Sequence, residues 1–228
     1  MQRVCLIPAR GGSKRLPRKN VADFLGRPIL AHTVEAALAS GLFGRVVVST
    51  EDAAIAEAAR AAGAETVARP PALAADTAGL VEVCVAFLDE EQRAGRGWDV
   101  LACLLPTAPM RTAADIRGVA ALVEPGFCDF AMAVTTYSLP PLQALRDAGD
   151  GFLRPMWPEY IRLRSQDAPR LLVDNGSTYV VTATGLRAER SFYGSTLRGY
   201  LMPPERSVDI DEPFDLELAR ILAQRQTA

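Results

Sequence analysis

Histidine is almost absent from this chain of 228 residues: His32 stands alone, in a helix-like stretch with no Ser, Cys or Asp motif around it. It reads as structural, and no paired-imidazole metal site can be built. No serine sits in a G-x-S-x-G setting, so a hydrolase triad has no support. The four cysteines, Cys5, Cys84, Cys103 and Cys128, lie far apart in apolar stretches without a C-x-x-C pair. They read as small buried hydrophobes in a reducing compartment, not as a disulfide frame or a zinc site. The apolar run from Val4 to Pro8 is too short for a signal peptide or a spanning helix, so a cytoplasmic protein without a membrane partner is expected. Charge of one sign is lacking too: 25 basic against 27 acidic residues leave a formal net charge of -2. Nothing global points to nucleic acid or a membrane surface, and any basic site must be local.

What the chain does have is apolar material, 49% of residues, enough for a real core in one domain of this length. Strand-like runs over 3–8, 45–49, 65–68, 99–105, 129–136, 177–181 and 199–202 alternate with helix-like runs. The helices are expected over 28–40, 50–62, 77–93, 112–125, 184–190 and 213–224, with Gly41 and Gly63 at post-helix positions. Repeated strand–helix units with near-continuous apolar strands predict an α/β fold, a mostly parallel sheet covered on both faces. Between Tyr137 and Val173 five prolines and scattered aromatics break the pattern. An inserted arm or small lobe, 138–174, is expected there within a single domain, 1–228.

Lysine is the scarcest cation, with two against 23 arginines, and both lysines fall in one loop. That loop, Pro8-Ala9-Arg10-Gly11-Gly12-Ser13-Lys14-Arg15-Leu16-Pro17-Arg18-Lys19-Asn20, carries five cations after the first predicted strand. Open α/β sheets bind ligands at such strand ends. Glycines let backbone N–H groups turn towards phosphate oxygens while Lys and Arg neutralise several charges at once, so a polyphosphate suits it. The segment fits neither G-x-x-x-x-G-K-[ST] nor G-x-G-x-x-G, which sets aside the ATPase P-loop and the dinucleotide fingerprint. The alternative is a solvated basic turn.

Downstream, three further stretches stand open between roles. Asp76 or Thr77 either caps the following helix or contacts a ligand. Arg164-Ser165-Gln166-Asp167 and Asn175-Gly176-Ser177-Thr178-Tyr179 read as a charged surface loop with a glycine turn, or as a fork and amides for a carboxylate. Asp209 and Asp211, at i and i+2, project to one side as hard oxygens suited to Mg²⁺, unless Asp211 only caps the last helix.

Ile7 to Arg15 with Lys19-Asn20 closely resembles the nucleotide-binding signature of the acylneuraminate cytidylyltransferases, the CMP-sialic acid synthetases and their bacterial relatives. Related Kdo-activating enzymes typically end this loop in Lys-Pro, so Lys19-Asn20 favours the sialate branch. The likeness continues through Val46 to Asp52, Arg69-Pro70 with Leu73 to Thr77, and Leu105-Pro106-Thr107-Ala108-Pro109-Met110-Arg111. Leu105 stands where sialate enzymes commonly have glutamine. That departure removes an amide from the acceptor side and points to the pseudaminate/legionaminate branch.

The resemblance implies a three-layer Rossmann-like nucleotide-diphospho-sugar transferase fold and transfer of CMP from CTP to a nine-carbon, nonulosonic sugar acid. It implies Ala9, Arg10, Gly11, Gly12, Ser13, Lys14, Arg15, Lys19, Asn20, Arg69, Asp76 and Thr77 around the nucleotide. Thr107, Arg164, Gln166, Asp167, Asn175 and Tyr179 would face the sugar, and Asp209 and Asp211 would hold Mg²⁺. Arg10, Lys14, Lys19 and Asp211 would act most directly on the reaction. A homodimer closed by the arm is implied as well. A nucleotidyltransferase activating a sugar phosphate, or a non-catalytic nucleotide-binding regulator, would use the same scaffold.

Overall fold

A computed structural model describes every residue except Asp76, Pro140 and Ala228. Strand β1 (Arg3–Pro8) leads into a long loop, a hairpin of β2 (Asp23–Phe24) and β3 (Arg27–Pro28), and helix α1 (Ile29–Ser40). There follow β4 (Arg45–Thr50), α2 (Ala53–Ala61), β5 (Glu65–Ala68), α3 (Pro71–Ala74), α4 (Leu80–Arg93), β6 (Val100–Leu104), α5 (Ala113–Ala120) and β7 (Phe130–Thr136). The hairpin β8 (Leu145–Asp147) and β9 (Leu153–Pro155) precedes the long β10 (Leu172–Thr182), α6 (Ala183–Glu189), β11 (Leu197–Leu201) and α7 (Pro213–Thr227).

Seven strands form one sheet in the order β11-β7-β10-β6-β1-β4-β5. Only β10 is reversed: it runs antiparallel to β6 and β7, whereas every other pairing is parallel. The period of two along β1 builds the layers. Cys5 and Ile7 pack with α1, α2 and α5 on one face, while Val4 and Leu6 pack with α4 and α6 on the other. A third cluster, with Phe24, Ile29, Met110, Ile210 and Leu216, seats α7 against the hairpin and the turn after β6. The expected three-layer α/β fold is therefore present, and all four cysteines are buried free thiols.

Local chemistry sets the helix ends. Asp52 caps α2 by accepting from the Ala54 and Ile55 N–H groups, and Thr112 with Asp115 forms a reciprocal capping box on α5. Several expected boundaries move, most of all that of β10, which starts at Leu172 rather than Ser177. Helix α4 begins at Leu80, behind an extended Gly79, rather than at Thr77. Helix α5 stops at Ala120 because the chain turns there into a short bridge between Glu124 and Cys128, although Val123 continues the apolar stripe. Between β7 and β10 the chain carries the β8–β9 hairpin and short 3₁₀ turns, with Leu139, Phe152 and Leu153 among its most exposed apolar side chains.

Candidate active site

The loop after β1 is shaped by close approaches. The Ala9 N–H donates to Ser49 O at 3.0 Å, continuing the ladder with β4 by one step. The Gly11 N–H donates to Glu51 Oε1 at 2.7 Å. A Cβ on Gly11 would lie 2.7 Å from Asp52 Oδ2, so only glycine passes over the α2 cap. Arg18 adopts the left-handed conformation that starts a 3₁₀ turn over Lys19–Val21. The buried Asn20 then clasps the loop, donating from Nδ2 to Arg10 O at 2.8 Å.

Facing this loop is the segment leading into α7. Ile210 is fully buried in the third cluster, and its N–H donates to Thr107 O at 2.8 Å. That anchor leaves Asp209 and Asp211 on the same side. Lys19 Nζ donates to Asp211 Oδ1 at 2.7 Å and Arg15 Nη2 donates to Asp211 Oδ2 at 2.5 Å. Asp211 is not the cap of α7: Asp215 accepts from the Asp211 and Glu212 N–H groups. Burial pushes the Asp211 carboxyl up, but the hydrogen bonds and charges of Lys19 and Arg15 outweigh it and hold the group low. Asp209 goes the other way, raised by burial and by the neighbouring Asp211 against the pull of a Thr107 hydrogen bond and Lys19.

Between loop and segment lies a cleft of about 490 Å³, lined by Arg10, Ser13, Lys14, Arg15, Lys19 and Asn20 on one side and by Thr107, Asp209 and Asp211 on the other. An adjoining hollow of about 230 Å³ shares Pro8 and Arg10 and adds Arg69, Leu73 and Leu80. Arg69 is buried and donates to Ser49 O at 2.8 Å, and burial lowers its pKa. Thr77 is exposed in the turn before α4, and Asp76 lies outside the described residues.

A third cavity, about 520 Å³, also reaches Asp209. It forms where β10 bulges between Asp174 and Tyr179, with Gly176 at φ +66°. Here Asp174 collects donors: the Gly176 N–H at 2.9 Å, Tyr179 OH at 2.8 Å and Tyr193 OH at 2.7 Å. Partial burial and the bond to Asp174 push Tyr193 up to about 12, and burial with the Asp174 charge raises Tyr179 further, so both phenols stay protonated donors.

Not every expected residue offers a free side chain to the clefts. Asn175 lines the third cavity, but its amide bonds internally, donating to Ser207 Oγ at 3.0 Å and accepting from Ser177 Oγ at 2.8 Å. The Tyr179 ring is buried against Phe192. Arg164 and Asp167 pair with each other at 2.6 Å, and neither they nor Gln166 line the three cavities. Conversely, Glu51, Thr135, Asp174 and Tyr193 reach the site without having stood out in sequence. Arg111 is buried beneath it, donating to Ser177 O and, at 2.8 Å, to Thr33 Oγ1, and burial lowers its pKa to about 10.

A profile of the cytidylyltransferase family matches residues 4–120, the segment that holds the basic loop, the hollow at Arg69 and the turn at Thr107. The chain belongs to that family. This cytidylyltransferase is 32% identical over 223 residues to the pseudaminic acid cytidylyltransferase of Campylobacter jejuni, covering 97% of this chain and 96% of that one. It is 32% identical to the CMP-N,N'-diacetyllegionaminic acid synthase of Legionella pneumophila, over 98% and 97% of the two chains. The N-acylneuraminate cytidylyltransferase of Escherichia coli is 29% identical over 98% of this chain and 52% of its own. Among solved structures, a CMP:2-keto-3-deoxy-manno-octonic acid synthetase complexed with CTP superposes with a TM-score of 0.73 at 20% identity, covering 99% of this chain and 100% of that one, which matches the fold. The cytidylyltransferase is thus a nucleotidyltransferase enzyme, and among the described residues none of its helices is long and apolar enough to cross a membrane.

Proposed function

We propose that this cytidylyltransferase transfers CMP from CTP to the anomeric hydroxyl of a nine-carbon, sialic-acid-like sugar acid. The hydroxyl oxygen forms a bond to the α-phosphorus, the bond from that phosphorus to the β-phosphate oxygen breaks, and pyrophosphate leaves. The single observation carrying this reading is the cleft with four loop cations on one wall and two carboxylates on the other. Arg10, Lys14, Arg15 and Lys19 neutralise the triphosphate, with Gly11, Gly12 and Ser13 lending backbone contacts. Charge stabilisation rather than covalent catalysis is the task of this site. The hollow at Arg69 takes the nucleoside end. Pseudaminic, legionaminic and neuraminic acids in the names of the relatives support the acceptor class.

The carboxylate pair fits a magnesium ion. Asp209 Oδ1 is buried without a hydrogen-bond partner, and Asp211 stands two residues on. Among the described residues no cluster of three or more His, Cys, Asp or Glu could hold a metal. A pair leaves room for the waters and phosphate oxygens that Mg²⁺ keeps. Held by Asp209 and Asp211, Mg²⁺ would supply charge neutralisation to the triphosphate. Lys19 and Arg15 hold Asp211 in place and face the same phosphates.

The chain acts as one domain, with 138–174 as an arm that packs on a second copy. Exposure of Leu139, Phe152 and Leu153 supports this, as does the position of Arg164, Gln166 and Asp167 outside the three cavities described above. The test is pyrophosphate release from CTP with pseudaminate, legionaminate and N-acetylneuraminate, beside sugar 1-phosphates with CTP and UTP. Turnover confined to a nonulosonic acid with CTP is expected. Turnover only with a sugar phosphate would overturn the reading.

A further inference from the structure

Asp209 lines two cavities at once, the cationic cleft and the hollow of about 520 Å³ at the β10 bulge. The second has a polar lining of its own. Thr135 is only 8% exposed, and its Oγ1 is buried without a hydrogen-bond partner. A buried hydroxyl left unpaired is costly unless something outside the chain pairs with it. In the same cavity Asp174 presents a carboxylate fixed by three donors, the Gly176 N–H, Tyr179 OH and Tyr193 OH. Two carboxylate oxygens offer about four acceptor sites, so three donors leave room for another. In the strand register Asp174 pairs with Val134 and Val173 with Thr135, so the two side chains leave opposite faces of the sheet end, and the cavity spans both.

We infer that this hollow selects the acceptor: Asp174 accepts a hydrogen bond from an N–H or O–H donor on the sugar, and the Thr135 hydroxyl pairs with a second polar group. The inference rests on the acceptor proposed above. It also orients that acceptor. The carboxylate of a sugar acid is repelled by Asp174 and attracted by the loop cations, so the acid group turns to the cleft and a neutral donor turns to the bulge. The anomeric centre then lies between, beside Asp209.

The test uses steady-state pyrophosphate release with CTP, Mg²⁺ and whichever of pseudaminate, legionaminate or N-acetylneuraminate the wild type turns over best. Asp174→Asn is expected to raise the acceptor KM about ten-fold while leaving the CTP KM and kcat within about two-fold. Thr135→Val guards against a trivial folding loss, because that hydroxyl makes no hydrogen bond within the protein. It is expected to raise the acceptor KM about three-fold or more with no fall in melting temperature. An acylamino sugar acid compared with its hydroxyl counterpart tells which donor meets Asp174: the preferred one loses its advantage in Asp174→Asn. Normal CTP binding by calorimetry with an unmoved acceptor KM in both variants overturns this inference alone. Failure of the wild type to bind CTP overturns the proposed function and this inference with it.

Discussion

Gly11 and Gly12 are neighbours in one loop, yet their surroundings predict opposite outcomes for the same substitution. A methyl group on Gly11 would sit 2.7 Å from Asp52 Oδ2 and 3.1 Å from its Cβ, while nothing lies within 4 Å of one on Gly12. Asp52 cannot simply swing away, because its other oxygen caps α2 by accepting from Ala54 N at 2.8 Å and Ile55 N at 3.0 Å. Gly11→Ala therefore either breaks that cap or lifts the loop from Glu51. Losing a cap costs about 1 kcal/mol, and for a chain of this size each kcal/mol moves the melting temperature by roughly 2–4 °C. A drop of about 2–8 °C is expected for Gly11→Ala, allowing up to twice the typical cap cost, and less than about 1 °C for Gly12→Ala. Differential scanning calorimetry reads both, and isothermal titration with CTP should show about ten-fold weaker binding for Gly11→Ala, the size of one lost charge-assisted contact. Equal melting temperatures for the two variants would refute the steric reasoning.

Asp209→Ala and Asp211→Ala should each cut pyrophosphate release by about a hundred-fold or more while the far-ultraviolet circular dichroism stays native, and near-normal turnover in both would remove the pair from the reaction. Acid stability should depend on Glu91, which is 3% exposed and accepts from Arg96, Arg45 and Trp98. The Arg96 hydrogen bonds, helped by Arg45 and Trp98 against burial, lower its pKa from 4.5 to about 2. Being depressed in the folded state, this group contributes its full stability above pH 4.5 and loses it as pH falls towards 2. The contribution is about 2–3 kcal/mol after allowing for solvent at Arg96. Melting curves of wild type and Glu91→Gln should converge across that window; a constant gap would contradict the assignment.

The parts of this molecule that announce themselves in sequence are those where composition and geometry coincide. Val4 to Pro8 is an unbroken apolar run, and the loop behind it concentrates both lysines of the chain. Asp209 and Asp211 are legible as a pair, but only the structure shows that Asp215 does the capping and leaves Asp211 to Lys19 and Arg15. The β2–β3 hairpin escapes because two-residue strands have no period to detect, and its turn places Leu25 at φ +53°, where leucine gives no signal. The bulge in β10 is hidden for a related reason: strand alternation predicts inward and outward faces, whereas a register shift after Asp174 breaks that alternation, with Asn175 buried inside it. Thr135 is the last of six consecutive buried residues in β7 and looks like one more of them until its hydroxyl is found without a partner.

The central claim is that the basic loop exists to hold a nucleotide triphosphate against the two carboxylates. Crystals soaked with magnesium and a CTP analogue that cannot release pyrophosphate test it directly. Phosphate oxygens should lie within hydrogen-bond reach of Lys14, Lys19 and the Gly11–Gly12 backbone, with a metal ion on Asp209 and Asp211. Triphosphate density anywhere else on the molecule would contradict the account.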